Sequence, residues 1–303
     1  MSLLAVIGDL VEDVIVWQSG PLAHGTDTPA RIHRTRGGSA ANVAALAAPL
    51  VATRFIGRVG NDATGAALEA SLRASHVDVR LQIGGRTGTI VILVAPDGER
   101  SMLPDRGASA EIEAIDPAWL DGVTGLHVTA YSLAAEPARS AALDAASIVR
   151  ASGGLTSLDI SSVSVLETLG RDLISELVAT LNPDILFANA SEASYAPTDG
   201  RRLVVIKAGA SPTTLRSPLG EASVPVEKVE NIRDMTGAGD AFAAGFLASC
   251  LTAGLDAGTL ATLHPGDERL RTAALAAHAN AATVLQLPGS GHRLDSPQRK
   301  EPS

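Results

Sequence analysis

Asp234-Met235-Thr236-Gly237-Ala238-Gly239-Asp240 runs directly into Ala241-Phe242-Ala243-Ala244-Gly245-Phe246-Leu247. A short glycine-rich loop opens an apolar helix. Gly237 and Gly239 admit backbone angles closed to other residues, and without side chains they let N–H groups approach an anion closely. The dipole and free donors at the start of the helix act on the same anion. Gly237, Ala238 and Gly239 thus form an anion hole suited to charge that grows on a phosphoryl group in transfer. Asp240 falls at the helix start, beside the hole, where a carboxylate can take the proton of an attacking hydroxyl. An aspartate capping the helix would account for Asp240 alone. It leaves unexplained a second acid, a threonine and two glycines within the same short loop.

Outward from this loop, short apolar runs alternate with alanine-rich amphipathic stretches. That pattern predicts an α/β fold with a central, mostly parallel sheet flanked by helices. Strands are expected at 3–7, 53–57, 126–129, 155–159, 185–188 and 203–207. Helices are expected at 40–48, 64–74, 138–152, 166–179, 241–253 and 269–283. Two regions break the alternation: 14–34 carries polar and apolar residues in strand-like order, and 86–104 reads as a hairpin turning at Pro96-Asp97-Gly98. The division this predicts is a main domain of residues 1–14, 35–85 and 105–303, with a small β-sheet lid built from 15–34 and 86–104. Ordinary edge strands of the main sheet are the simpler alternative for those two excursions. The last dozen residues, with Ser296-Pro297-Gln298-Arg299-Lys300, read as a polar tail.

Composition sets the outer limits. The chain has 303 residues, 46% of them hydrophobic and 19% charged, which supports a sizeable core and argues against disorder. Aromatic residues make up 3% and the formal net charge is −9, both unlike a protein that stacks on bases or neutralises a phosphate backbone. No nucleic-acid partner is expected. Cys250 is the only cysteine, so no disulfide within the chain and no cysteine-based zinc cluster can form. The N-terminus reaches Asp9 too early for a signal peptide, and no apolar run approaches the roughly 20 residues that span a bilayer. A cytoplasmic protein with no membrane partner is the expectation. Neither a P-loop, nor a Gly-x-Gly-x-x-Gly turn after the first strand, nor a Gly-x-Ser-x-Gly elbow occurs, and no histidine is assigned a role.

Further constellations fit small-molecule chemistry. In Gly37-Gly38-Ser39-Ala40-Ala41-Asn42, paired glycines let a ligand lie against backbone, and Asn42 can donate to and accept from hydroxyls. A plain helix start capped by Ser39 is the rival reading. Asp13 could accept from two adjacent hydroxyls at once, with Asp9 and Glu12 as rivals nearby. Asn189 and Glu192, three apart at a strand end, could share the water shell of Mg²⁺ or simply form a capping box. Arg100 and Arg106 flank the second excursion and could meet an acidic or phosphorylated acceptor; lone arginines are more often solvated surface.

Read together, these motifs resemble the PfkB, or ribokinase-like, carbohydrate kinases. Asp-Thr-Thr-Gly-Ala-Gly-Asp is the usual form of that family's C-terminal signature, and the chain departs from it only at Met235. Residues 37–44 resemble the N-terminal signature, and Asn189-Ala190-Ser191-Glu192 resembles the Asn-x-x-Glu motif. The resemblance extends from Gly8 to about Gly289, and it implies a catalytic base at Asp240 and an anion hole at Gly237, Ala238 and Gly239. It implies acceptor contacts at Asp13, Gly37, Gly38 and Asn42. ATP contacts are implied at Asn189, Glu192, Lys207, Gly209, Thr236 and Asn280, and Mg²⁺ held through water by Glu192 and Asn189. Asp234 matches a position that in many members helps bind a monovalent cation such as K⁺. Ser39 stands where ribokinases proper commonly carry lysine, which points away from ribose.

The implied activity is transfer of a phosphate from ATP to a hydroxyl, expected to be primary, of a small sugar. A nucleoside kinase, or a sugar- or nucleotide-binding protein of the same fold without turnover, are the alternatives. An exposed lid sheet would be an unprotected edge and face, so a homodimer through the two lids is expected.

Overall fold

The computed structural model describes residues 2–197 and 202–286; the expected polar tail lies outside them. In chain order the elements are β1 (Leu3–Ile7), β2 (Val11–Gln18), β3 (Ala30–Gly37), α1 (Ser39–Ala47), β4 (Ala52–Val59), α2 (Ala63–Ala74), β5 (Asp78–Ile83), β6 (Thr87–Val94), β7 (Arg100–Gly107) and β8 (Gly125–Thr129). They continue with α3 (Ala130–Leu133), α4 (Ala138–Ala151), β9 (Leu155–Asp159), α5 (Val163–Leu169), α6 (Arg171–Leu181), β10 (Ile185–Asn189) and β11 (Leu203–Lys207). The chain ends through β12 (Thr213–Ser217), β13 (Gly220–Val224), α7 (Ala238–Thr252), α8 (Ala257–Leu260) and α9 (Glu268–Leu285).

The main sheet has nine strands among the described residues, in the order β13-β12-β11-β10-β9-β8-β1-β4-β5. From β11 to β5 every pairing is parallel; β12 and β13 add an antiparallel hairpin at one edge. Parallel strands covered on both faces bury consecutive residues, which is why the sequence shows unbroken apolar runs. In β1, Leu4 and Val6 join one core while Ala5 and Ile7 join the core on the opposite face. β10 divides in the same way, with Ile185 and Phe187 on one side and Leu186 and Ala188 on the other. Helix α7 needs no amphipathic stripe because Ala241–Ala248 are all buried, wedged between α1 and α9. Its Gly245 lets α9 come close: a Cβ there would stand 2.9 Å from the carbonyl oxygen of Ala276.

The two excursions pair with each other. They form a separate four-stranded sheet in the order β3-β2-β6-β7, with β2 and β6 parallel and the outer pairs antiparallel. Its strands reach beyond the expected bounds of the excursions, and Asp13 lies on β2 opposite Thr35 and Ile90. The helix expected over 166–179 is broken at Gly170, whose φ of 76° ends α5 and starts α6. β5 and the β12–β13 hairpin carry no expected strand.

Candidate active site

Gly237 takes a φ of 78° and turns the chain into α7, so that Asp240 falls in its first turn. Two donors from α1 meet that carboxylate across the fold. Ser39 Oγ donates to Asp240 Oδ1 at 2.7 Å, and Asn42 Nδ2 donates to Oδ2 at 3.0 Å. Asp240 is half-buried, and removal from water pushes its pKa up to about 7 against the opposing pull of Ser39 and Asn42. A carboxylate poised there is close to ideal for accepting a proton at neutral pH. Ser39 is therefore a member of the site rather than a cap. No local signal marks it, because its partner lies 201 residues away.

The three acidic candidates near the first strand separate by their partners. Asp9 accepts from the N–H groups of Ser39 and Ala40 and pairs with Arg106 Nη1 at 3.2 Å. Glu12 pairs with Arg34 at 2.7 Å. Asp13 is buried, and its Oδ1 has no partner among the described residues. Burial, then the charges of Asp9, Asp240 and Glu12, raise its pKa to about 7. Asn42 Oδ1 is likewise buried without a partner. Gly37 is required by closeness, since a Cβ there would lie 2.1 Å from Asp13 Oδ1, and Gly38 has a φ of 98° with the Asp9 carbonyl 2.3 Å from its missing Cβ.

These groups share a cavity of about 1280 Å³ between the two sheets, lined by Asp13, Gly38, Asn42, Gly237 and Asp240 on the main-domain side. Ile90, Ile92, Val94 and Trp17 face it from the small sheet. Arg100 and Arg106 also line it, which corrects the solvated-surface expectation for both. Arg106 stacks on the Tyr131 ring, 4.1 Å from its centre, while it holds Asp9. Arg100 reaches across to pair with Asp234.

At the end of β11, Lys207 Nζ donates to Asp159 Oδ2 at 2.6 Å and stands 3.5 Å from where a Cβ on Gly239 would be. Burial lowers the Lys207 pKa, but the adjoining Asp159 charge outweighs it and holds the ammonium above its ordinary value. Asp159 went unrecognised in the sequence, where it is one strand-end acid among several. Asn189 and Glu192 close a reciprocal box. Glu192 accepts from Asn189 N at 2.8 Å, Asn189 Nδ2 at 2.7 Å and Ser162 N at 2.8 Å, and its own N–H returns to Asn189 Oδ1. Ser162 is held at a φ of 83° to make that contact. With both carboxylate oxygens so engaged, the pair fits a metal ion only through its waters. Among the described residues, no three histidine, cysteine or acidic side chains cluster as a metal site. Gly209 is exposed with a φ of 59°, and Asn280 donates to the Ala241 carbonyl at 2.8 Å, tying α9 to the first turn of α7. Glu192, Lys207, Gly209 and Asn280 stand outside the walls of the cavity. Thr236 donates through its N–H and hydroxyl to Asp234 Oδ1.

Comparison with known proteins places the chain in a family. The family model described as pfkB family carbohydrate kinase matches residues 1–297. The chain is similar to an ATP-dependent ribose-1-phosphate kinase of Halopiger xanaduensis, 34% identical over 77% of this chain and 79% of that one. It is similar to a fructokinase of Klebsiella pneumoniae, 32% identical over 86% and 88% of the two chains. A crystal structure of fructokinase with bound ATP from Xylella fastidiosa shares the fold, with a TM-score of 0.82 at 22% identity over 95% and 93% of the chains. The chain belongs to the pfkB family of carbohydrate kinases, phosphotransferases that act on a hydroxyl of a sugar or nucleoside.

Proposed function

We propose that the γ-phosphoryl group of ATP passes to a primary hydroxyl of a small sugar held between the two sheets, with Asp240 as the general base. The observation that carries this reading is the Asp240 carboxylate, oriented by Ser39 and Asn42 at the mouth of the Gly237–Gly239 turn, with its pKa raised to about 7. Asp13, with one oxygen unpartnered, and the free Asn42 Oδ1 accept from acceptor hydroxyls and turn one of them toward Asp240. As that hydroxyl attacks, its proton moves to Asp240. The N–H groups of Gly237, Ala238 and Gly239 receive the phosphoryl oxygens, and Lys207 adds a positive charge beside Gly239. Mg²⁺, when bound with the nucleotide, neutralises phosphate charge; Asn189 and Glu192 would meet it through water. The small sheet acts as a lid that keeps water from the reacting phosphate.

A nucleoside acceptor is the second reading, favoured by the apolar lid wall of Ile90, Ile92, Val94 and Trp17, against which a base could lie. ADP release from MgATP, measured with D-fructose, D-ribose, ribose 1-phosphate and adenosine in turn, separates the two. Acceptor-dependent release with a sugar supports the first reading, and with adenosine alone the second. Release that no acceptor raises above the basal rate contradicts both. The protein is proposed to work in the cytoplasm as a homodimer joined through the outer lid faces, where Ile32 and Leu103 are 60% and 57% exposed.

A further inference from the structure

The carboxylate that the family resemblance offers to a monovalent cation is already held by a cation of the chain itself. Arg100, the first residue of β7, extends from the small sheet to the signature loop. Its Nη2 donates to Asp234 Oδ1 at 2.6 Å, and its Nη1 donates to Thr236 Oγ1. The same Oδ1 accepts from the Thr236 N–H at 2.9 Å and the Thr236 hydroxyl at 2.8 Å. Asp234 is 7% exposed and Arg100 29%, so the pair is partly shielded from solvent, where ion pairs hold more strongly than on an open surface. An oxygen that accepts from a guanidinium and twice from Thr236 is poorly placed to bind K⁺, and two positive charges at one carboxylate repel each other. Met235, the chain's departure from the signature, is 74% exposed and has no side-chain oxygen to offer a cation.

We propose that Arg100 is the built-in cation of the signature loop, and that phosphoryl transfer by this chain needs no monovalent metal ion. Arg100 is a positioning residue. Its hydrogen bonds fix Asp234 and Thr236, and through them the N–H groups of the turn that follows. Because Arg100 belongs to the lid sheet, lid closure and ordering of the anion hole become one event. This rests on the kinase reading for its catalytic part only.

The test uses the full chain in KCl and in choline chloride at equal ionic strength, following both turnover and thermal melting. ADP release from MgATP is measured with whichever of D-fructose, D-ribose, ribose 1-phosphate or adenosine supports turnover. The wild type should show the same kcat and melting temperature in both salts. Arg100→Ala in choline should lose about tenfold or more in kcat, the factor expected from removing a charge-assisted hydrogen bond, with little change in the KM for ATP. KCl should partly restore kcat and raise the melting temperature of that variant alone, and Arg100→Lys should keep most of the activity. A wild type activated or stabilised by K⁺ over choline would overturn the proposal. So would Arg100→Ala with full turnover in choline, or a loss that neither lysine nor K⁺ repairs. If no acceptor supports turnover, the kinase reading fails, and melting still decides: K⁺ must stabilise Arg100→Ala and leave the wild type unmoved, and any other pattern refutes the proposal.

Discussion

Asp13 and Asp240 both sit far above the ordinary carboxylate range, at about 7, and burial is the first cause for each. The consequence for activity has a definite sign. Below neutrality both are largely protonated, so the base is lost and kcat/KM should fall as pH drops through about 7. Because such sites titrate together, the limb reports the pair rather than one residue. A profile already flat from about pH 5 upward, just above the usual carboxylate values, would contradict the arrangement. Stability runs the other way. A raised folded pKa contributes stability below the unfolded value, and that contribution is lost as pH rises toward 7. At this scale the sequence is legible where function and local pattern coincide. Asp240 and its glycines stand in one loop, and Asn42 follows its own glycine pair. Ser39, Asp159 and Arg100 are not legible, because their partners lie 201, 48 and 134 residues away and only the fold joins them.

Among the elements, α7 ties chemistry to packing. It carries Asp240 at its first turn and presses Gly245 against α9, where a side chain would meet the backbone of Ala276 and Ala277 at 2.9 Å. Gly245→Val should therefore destabilise the fold by about 1–3 kcal/mol, the range for overpacking a close contact. Urea unfolding should show this as a lower midpoint at an unchanged slope; a midpoint equal to the wild type would show that α9 simply gives way. The buried parallel strands were readable because covering on both faces writes itself as unbroken apolar runs. β5 follows a different pattern: Asp78-Val79-Arg80-Leu81-Gln82-Ile83 alternates polar and apolar, as a half-buried edge strand does, and forms no unbroken apolar run. The β12–β13 hairpin is short and polar at an edge, and Gly170 breaks a helix whose apolar period continues past it.

At the scale of the whole molecule, two arginines of β7, Arg100 and Arg106, bind the small sheet to the rest of the chain through Asp234 and Asp9. The opposite face of that sheet leaves Ile32 and Leu103 exposed, and the proposed dimer would cover them. Light scattering after size exclusion should give twice the chain mass, and Ile32→Lys with Leu103→Lys should give a monomer that melts at the same temperature. A wild type that runs as a monomer would remove the dimer. All of this serves one assignment, a proton taken by Asp240 while the neighbouring turn holds the transferred phosphate. Asp240→Asn keeps the shape and removes the base, so the most direct measurement compares its kcat and its MgATP affinity with those of the wild type. A fall of about 10²–10⁴ in kcat, with MgATP binding nearly unchanged, is the expected result. Turnover at the wild-type rate would contradict it.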